Sequence, residues 1–535
     1  FVGPSGRSVC GQPAAATGPG AAATAATEAA AVGRASARLS TGAGAVAFGA
    51  SRLRELAQRS AAARLHTLAE ALGPELVRPM PSATLVALTP PPGAGEVEVP
   101  RGFEVESDAV DGVRCRFTGL AGARLVPFAV SRAAVRWSRE RGHELYVELT
   151  APEPSALGVL DLTFVGDGRT GALLTAWLRA HLAGVTVAVA GEPAQQLAPA
   201  AVRFPAFAPD SPLLPVEPGE HQGLRLLREY LLLPARLHRI ALDLRSLSLR
   251  AAHVALTFTG AKALPGAVSL EPGALRTNCV AVANVFRTTA EPLALSLEAD
   301  ARRLLVAERP PPLSDVYSVQ AVRLTQPGLP SETVPGITQA AVSQADLAFE
   351  TTLDAEGHLL LAPRTPRDGP PPPTRGVLSC TLWATDGARA QALGVGSVRH
   401  GGRGLPGGVT VTNPMPVTAS CPAPRGEALR ARLLAWLSLA GRSLASAEAL
   451  QTLLFALDGH DRGGADVATR SSLRRRAVQG ITAAETQCRD RRGVQRRGTL
   501  VNVRLHGEGF DGEGDLLTFG AVLHALCAEE ARLGA

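Results

Sequence analysis

The segment His221-Gln-Gly-Leu-Arg-Leu-Leu-Arg-Glu-Tyr-Leu-Leu-Leu233 has an apolar surface with helical periodicity over more than half of its circumference. The remaining arc carries Arg225, Arg228 and Glu229. An apolar arc of this width predicts a helix that is buried on two sides, and Pro234, which lacks a backbone N–H group, predicts where the helix ends. On pattern alone, this segment is the core of a domain that mixes helices and strands. The two apolar stripes contain Leu224, Leu227 and Leu231, and Leu226, Tyr230 and Leu233.

Three strands are predicted after this helix. Residues 240–244 and 254–258 alternate between large apolar side chains and polar or small ones, which is the period of a strand with one buried face. Residues 278–286, Asn-Cys-Val-Ala-Val-Ala-Asn-Val-Phe, are apolar almost throughout. They are therefore predicted to form one interior strand.

Composition indicates a folded protein of several domains. The chain has 535 residues, which is enough for about three or four domains. An apolar content of 46% with 19% charged residues is typical of a folded chain. Of the 54 basic residues only Lys262 is a lysine, a bias that a GC-rich coding sequence explains without reference to function. The net charge of +6 suits acidic neighbours but does not require nucleic acid.

Cysteine spacing and apolar runs indicate a cytoplasmic protein. The seven cysteines lie far apart and form no Cys-x-x-Cys pair, which favours reduced thiols over a zinc knuckle or a disulfide scaffold. No apolar run reaches about eighteen residues, so no membrane-spanning helix is expected. The first residues lack the charged region of a signal peptide, so none is expected.

The predicted fold class is α+β, a multidomain chain of β-rich modules with helical N-terminal and C-terminal segments. Residues 1–50 are rich in Ala and Gly and offer too little apolar area to offset the entropy of ordering, so we expect a low-complexity arm. Short alternating runs between Gly, Pro and Asp turns predict the β-rich modules. The segments after the arm are a helical bundle segment (51–78), a β-rich domain with one helix (79–215), a central α/β core (216–325), a projecting β-rich domain (326–425) and a C-terminal α/β domain (426–535).

A glycine-rich acidic turn lies between a predicted strand and the last predicted helix. It contains Gly-x-Gly-x-x-Gly at Gly507, Gly509 and Gly512, where a dinucleotide fingerprint belongs. The carboxylates around these glycines would repel a pyrophosphate, and too few residues follow for another βαβ unit. A tight turn with Asp515 as the helix N-cap is therefore the favoured interpretation.

The other chemical motifs are incomplete. Lys262 is not in the frame of a P-loop, and His143-Glu144 lacks the second histidine of a zinc protease helix. We therefore predict no catalytic, cofactor-binding or metal-binding residues, although a triad assembled from distant residues stays open. Arginines are densest over 474–497. Because no aromatic residue is interleaved with them to stack on bases, a solvated face or a salt-bridged protein interface is favoured over a nucleic-acid groove.

Three stretches in the centre resemble one known family. They are Gly223-Leu-Arg-Leu-Leu-Arg-Glu-Tyr-Leu-Leu-Leu-Pro234, Asn278-Cys279 followed by Asn284 and Phe286, and Val316-Tyr-Ser-Val319. These words resemble the TssF (VasA, ImpG) family of type VI secretion baseplate subunits, and weaker matches keep the same order over roughly residues 75 to 530. The family usually begins with a charged, aromatic-rich helical segment, whereas residues 1–50 are Ala- and Gly-rich here.

The resemblance implies a structural protein rather than an enzyme. In that family, two TssF copies and one TssG form a wedge of the cytoplasmic baseplate, which docks at the inner membrane complex and supports growth of the tail sheath. The expected partners are a TssG-like subunit, a second copy of the chain, and TssK-like, TssE-like and VgrG-like proteins. No cofactor or small-molecule substrate is expected.

Interface residues are predicted from apolar helix faces, because large apolar side chains are typical of subunit contacts. At every such position, packing within the chain's own domain is the alternative. For the whole chain, the alternatives are a wedge protein of another contractile injection system or phage tail, an Arg-rich nucleic-acid-binding protein and, last, an enzyme. The predicted bundle contacts are Leu53, Leu56, Leu65, Leu68 and Leu72, and the predicted self-contacts are Phe519, Leu523 and Leu526.

Overall fold

A computed structural model gives the fold of the protein. It describes residues 64–533 apart from 141, 218–219, 267, 297–300, 310–312, 338, 340–344, 355, 366–374, 440–445, 463 and 490–494. The chain separates into two compact units, residues 1–63 and residues 64–535, and the described elements belong to the second. Leu53 and Leu56 lie outside the described residues, as does the predicted arm.

Helices occupy both ends of the second unit and two positions in its interior. No helix among the described residues is long and apolar enough to cross a membrane. The helices predicted near residues 170, 221, 426–457 and 516 are present, whereas α6 was not predicted. The helices are α1 (residues 64–72), α2 (Gly168–His181), α3 (Gln222–Leu232), α4 (Gly426–Leu439), α5 (Ala447–Leu457), α6 (Ala465–Arg476) and α7 (Glu513–Leu533).

Antiparallel strands form most of the rest of the second unit. The first half contains β1 (Ala83–Thr89), β2 (Val97–Val99), β3 (Phe103–Val110), β4 (Val113–Gly119), β5 (Ala123–Leu125), β6 (Ala129–Ser138), β7 (Gly142–Ala156), β8 (Val159–Phe164), β9 (Leu182–Val189), β10 (Gln195–Leu197), β11 (Val202–Arg203), β12 (Arg239–Asp243) and β13 (Arg250–Gly260). The second half contains β14 (Leu275–Thr277), β15 (Cys279–Ala283), β16 (Phe286–Thr289), β17 (Leu293–Ala294), β18 (Arg302–Arg303), β19 (Asp315–Thr325), β20 (Glu332–Val334), β21 (Ala348–Leu353), β22 (Leu359–Arg364), β23 (Val377–Thr385), β24 (Val398–Gly401), β25 (Thr410–Thr412), β26 (Val478–Arg489) and β27 (Gln495–Leu505).

The strands form several sheets, and one of them joins distant parts of the sequence. Its order is β24-β3-β4-β15-β1-β25, so it takes strands from three of the predicted segments. The other larger sheets have the orders β10-β9-β13-β7-β6, β11-β12-β8-β14 and β16-β23-β19-β20. Smaller pairings are β18-β22-β21, β2-β5 and the hairpin β26-β27. The α+β class with β-rich modules and helical ends is confirmed.

The helix α3 is where the sequence predicts it, and it is buried on every side. Its polar arc is enclosed as well, since Arg225, Arg228 and Glu229 are only 6%, 3% and 1% exposed. The helix ends at Leu232, and Pro234 begins a short 3-10 turn. Around it packs the largest apolar cluster of the described chain, with contributions from β1, β15, α5 and α7.

The prediction of one interior strand over residues 278–286 is wrong, because the segment contains β15 and the first residue of β16. Asn278 has a positive φ of 55°, which an asparagine tolerates better than most residues, and β15 starts after it. Asn284 separates β15 from β16, and the two strands enter different sheets. Of these two strands, β15 is an interior strand of the six-stranded sheet, whereas β16 lies at the edge of another sheet.

The last helix packs against α2 and α3. Glycines allow this close approach: a Cβ atom on Gly223 would lie 2.6 Å from Leu526 Cα, and one on Gly514 would lie 2.1 Å from the backbone nitrogen of Leu173. The glycine-rich sequence before α7 forms a short 3-10 turn, as the tight-turn interpretation requires. Asp515 is not the N-cap, however, because α7 already begins at Glu513.

Candidate functional site: a buried polar junction and an exposed helical face

The carboxylate of Glu229 organises the polar side of α3. Its Oε1 atom accepts hydrogen bonds from the backbone N–H groups of Leu213 and Leu214, over 2.7 and 3.0 Å. Its Oε2 atom accepts a short hydrogen bond from Arg236, whose guanidinium also donates to the carbonyl oxygen of Ser211. The side chains of Glu229 and Arg236 are only 2% and 3% exposed. The junction therefore holds the segment before α3 and the turn after it on one charged pair.

A second buried contact joins α3 to the start of α7. The hydroxyl group of Tyr230 donates to Asp515 Oδ1, and Arg474 Nη2 lies 3.3 Å from Asp515 Oδ2. Burial raises the pKa of Tyr230 well above its ordinary value, so the hydroxyl stays protonated and able to donate. The guanidinium of Arg474 lies 5.1 Å from the centre of the Tyr230 ring. Arg474, at the start of the arginine-dense segment, thus faces the core rather than solvent.

Two asparagines fasten the six-stranded sheet to its surroundings. Asn278 accepts from the backbone N–H of Val126 and donates to the same residue's carbonyl oxygen, over 2.9 and 2.8 Å. Asn284 donates to Asp386 Oδ2 over 2.8 Å and accepts from the backbone N–H of Asp386 over 2.9 Å. Asp386 also pairs with Arg309 over 2.6 Å. These buried side chains therefore hold the ends of β15 against the segments that contain Val126 and Asp386.

Outside the core, α1 and α4 expose leucines on neighbouring helices. Both helices contribute to one apolar cluster, which contains Ala69 from α1 and Leu429 from α4. On their outer sides, α1 exposes Leu68 by 47% and Leu72 by 43%, and α4 exposes two leucines one turn apart. We call these four side chains the leucine face, which consists of Leu68, Leu72, Leu434 and Leu437. Large exposed apolar side chains on two helices that share one apolar cluster are candidates for a protein contact surface.

Two groups that could act as metal ligands or catalytic residues form hydrogen bonds that stabilise the fold. His143 Nδ1 accepts the backbone N–H of Leu264 over 3.1 Å. Asp354, Glu356 and His358 could bring one metal-ligating atom each to within 4.8 Å of one another. Asp354 already binds the backbone N–H and the ring of His358, over 2.7 and 3.0 Å, which closes the turn between two strands.

Comparison with known proteins identifies the family. The family model for TssF of the type VI secretion system matches residues 43–533. The chain belongs to the TssF family. This confirms the resemblance that the central sequence stretches indicated, and most residues of those stretches are buried.

Two solved structures share this fold. The first is the type VI secretion system TssK-TssF-TssG baseplate subcomplex, determined by cryo-electron microscopy. One of its chains is 22% identical to this TssF-family chain, with a TM-score of 0.74 over 90% of this chain and 92% of that one. The second is the baseplate complex from the type VI secretion system, with 17% identity and a TM-score of 0.52 over 87% and 82% of the two chains. No curated protein sequence matches the chain.

The predicted interface residues fall into three environments. Leu68 and Leu72 lie on the leucine face, and Leu65 is half-buried against the cluster shared by α1 and α4. Phe519, Leu523 and Leu526 are 0%, 5% and 1% exposed, because they pack in the cluster around α3. A contact with a second copy through these three side chains would require α7 to leave α3.

Sequence reasoning missed the leucines of α4 as part of the candidate face, and it missed the Glu229 junction. For Leu434 and Leu437, the signal was available as a pair of leucines one helical turn apart. For Glu229, the partners are backbone N–H groups of an irregular segment, which no side-chain pattern indicates.

Proposed function

We propose that this TssF-family chain is a structural subunit of the type VI secretion baseplate wedge. In this role it pairs with a TssG-like subunit, links TssK-like, TssE-like and VgrG-like components, and supports assembly of the tail sheath. The observation that carries the proposal is the family match over residues 43–533, together with a fold shared over 90% of the chain with a chain of a TssK-TssF-TssG subcomplex.

The internal construction supports a role in holding other proteins in place. Buried ion pairs such as Glu229–Arg236 and Arg309–Asp386 fix irregular segments to helices and sheets. An arrangement of this kind resists rearrangement, because separating either pair would leave a buried charge uncompensated. The charged groups of these junctions therefore serve rigidity, and we infer that the chain has no catalytic role.

The leucine face is the candidate contact for a helical bundle with the TssG-like subunit. Leu68 and Leu72 were predicted from sequence as partner contacts in a helical bundle, and α4, which shares an apolar cluster with α1, exposes a second pair of leucines. Covering apolar side chains that are about half exposed is favourable, by about 25 cal/mol for each Å² of apolar area removed from water, so a partner helix would bury them with a gain in free energy. We place the assembly in the cytoplasm, with the baseplate docked at the inner membrane complex.

Co-expression tests the proposal. The chain is produced with its TssG-like neighbour, purified through a tag on one subunit, and weighed by native mass spectrometry. A complex of two copies of this chain with one TssG-like subunit is expected. A chain that stays monomeric beside its TssG-like neighbour contradicts the proposed pairing. In cells, deletion of the gene is expected to abolish sheath assembly seen by fluorescence microscopy, and sheaths that still assemble and contract would contradict the structural role.

A further inference from the structure

The strand β6 forms a long edge of the sheet β10-β9-β13-β7-β6. It has ten residues, and on its outer side it pairs with no other strand of the described chain. In the sheets of four or more strands, every other edge strand has four residues or fewer. Short edge strands are one way in which folded proteins limit pairing with other chains. β6 lacks this protection.

The second part of β6 is a regular strand with an open edge. A register shift between Val130 and Arg132 marks a bulge, and after it residues 132–138 pair one by one with β7. We call residues 132–138 the edge run. The strand contains no proline. At a regular antiparallel edge, every second residue directs its backbone N–H and C=O groups away from the neighbouring strand. The edge run therefore offers a row of backbone donors and acceptors to another strand.

One face of the edge run continues the apolar side of the sheet. Ala133 and Val135 are half-buried and pack against the core cluster that this sheet covers. Trp137 follows on the same face and is 65% exposed. A strand added at the edge would cover part of the indole ring, and removing apolar area from water is favourable.

The other face carries arginines whose charge is already offset within the sheet. The register places Arg132 opposite Glu148 and Arg136 opposite Glu144. Opposite charges directly across two strands are favourable. The guanidinium carbon of Arg136 also lies 3.3 Å from the centre of the Tyr146 ring, over its own sheet. The edge is thus not a cationic patch that would select nucleic acid or an acidic partner.

The edge run is complementary to itself. When strands of two copies pair antiparallel across a two-fold axis, residues at equal distances from the axis lie opposite each other. An axis at Val135 uses the whole run and places Trp137 of one copy opposite Ala133 of the other, a large side chain against a small one. Arg136 then lies opposite Ala134. An axis at Ala134 or at Arg136 would instead place arginine opposite arginine, which is destabilising.

We propose that the edge run joins two copies of this chain by antiparallel pairing centred on Val135. The self-contact predicted on α7 is enclosed around α3, so a second copy needs a different surface, and the open edge of β6 provides it. This inference rests on the proposed function, because the wedge requires two copies in one complex. The two five-stranded sheets form one continuous sheet, and the leucine face stays available to the TssG-like subunit.

Disulfide cross-linking tests the contact and its register. Residues directly opposite in antiparallel strands have Cα atoms about 4.5–5.5 Å apart, which is within the range that a disulfide requires. Val135→Cys should therefore cross-link two copies when the complex with the TssG-like subunit is treated with a mild oxidant. Non-reducing electrophoresis measures the dimer, and the unmodified chain gives the background from its seven native cysteines.

Two further variants fix the register. Ala133→Cys is the matched control on the same strand and face, because its two copies would lie four residues apart, about 13 Å along the strand. It should cross-link no more than the background. Ala133→Cys combined with Trp137→Cys places cysteines opposite each other and should cross-link several-fold more than either change alone. The Tm of each variant shows that it is folded.

Oxidation of the chain alone at high concentration separates this inference from the proposed function. Cross-linking of Val135→Cys without a two-to-one complex would retain the edge contact and contradict the wedge. A two-to-one complex in which neither Val135→Cys nor the double variant cross-links above the Ala133→Cys control overturns the edge contact. Slowed amide hydrogen exchange over the edge run in such a complex would assign the edge to another subunit. Background cross-linking with no complex would overturn both.

Discussion

The hydroxyl group of Tyr230 donates a 2.7 Å hydrogen bond to Asp515 Oδ1 and so joins α3 to the first turn of α7 across 285 residues of sequence. Asp515 Oδ2 also accepts the backbone N–H of Asp511 over 3.1 Å. The carboxylate is buried, and these donors offset the free-energy cost of removing its charge from water. The last helix is therefore fixed to the central helix by a polar contact as well as by apolar packing.

Removing this hydroxyl should destabilise the chain measurably. Tyr230→Phe keeps the ring but leaves Asp515 with one donor fewer in a buried place, which costs about 1–3 kcal/mol. Urea denaturation followed by tryptophan fluorescence measures the loss. The control is Tyr146→Phe, which removes a 2.7 Å hydrogen bond to Glu148 in a largely solvated setting and should change the midpoint little. Equal losses in the free energy of unfolding for the two variants would show that the buried hydrogen bond stabilises the chain no more than the solvated one.

The close approach of α3 and α7 gives a second prediction. Gly223→Ala would improve helix propensity by about 1 kcal/mol, but the new Cβ atom would lie 2.6 Å from Leu526 Cα. Because the obstacle is backbone, we expect a net loss of about 1–3 kcal/mol and a lower Tm. Gly520→Ala is the matched control on α7, since nothing lies within 4 Å of its added Cβ, and it should raise Tm slightly. A Gly223→Ala variant as stable as the control would contradict the packing described.

Neutralising Glu229 should have a larger effect than neutralising an exposed glutamate. Glu229→Gln leaves Arg236 buried without a countercharge, and breaking a buried pair from one side costs about 3–5 kcal/mol. Glu427→Gln is the comparison, because its side chain is 84% exposed and its pair with Arg430 spans 3.7 Å. Exposed pairs contribute about 0–1 kcal/mol. Urea midpoints of both variants measure the difference, and a small loss for Glu229→Gln would mean that the junction relaxes around the change.

His238 should make stability depend on pH. Burial lowers its pKa from 6.5 to about 4, with Asp515 acting weakly in the opposite direction, and neither ring nitrogen has a hydrogen-bond partner. In the unfolded chain His238 binds a proton below about pH 6.5, whereas in the folded chain it stays neutral until the pH approaches 4. The contribution of neutral His238 is complete above that pH and is lost as the pH falls toward 4, by about 3 kcal/mol in total.

Two histidine variants isolate this effect. His238→Leu should lose less stability than the unmodified chain between pH 7 and pH 5, when both are followed by urea denaturation. His253→Leu, at an exposed position on β13, should keep the full pH dependence. Identical pH profiles for the two variants would remove His238 as the cause.

The periodicity of apolar residues predicts the helices and strands that bury an apolar face. It does not predict where polar side chains are buried in the interior. The pattern of Leu227 and Tyr230 with Pro234 behind them places α3 to within one residue at its end. It does not predict that Glu229 is enclosed, because its partners are backbone N–H groups of an irregular segment and Arg236 beyond the helix. Asn278 and Asn284 likewise divide a strand that the apolar run alone would continue.

The candidate sites show the same division. Leu68 and Leu72 could be proposed from sequence because an amphipathic helix displays its faces locally. The first strand of the hairpin β26-β27 was missed, since a run rich in Ala, Gln and Thr lacks the apolar alternation that indicates a strand.

Charged substitutions on the leucine face should weaken assembly without unfolding the chain. Leu68→Arg and Leu72→Arg alter side chains that are 47% and 43% exposed, so each should change stability by less than about 0.5 kcal/mol. If a TssG-like helix covers them, each arginine must lose its hydration in an apolar contact, and the Kd of the complex should rise at least about tenfold. Titration calorimetry with the purified TssG-like subunit measures this. Trp137→Arg, at a 65% exposed site on β6, should leave the Kd unchanged, and unchanged binding of both leucine variants would mean that the partner contacts another surface.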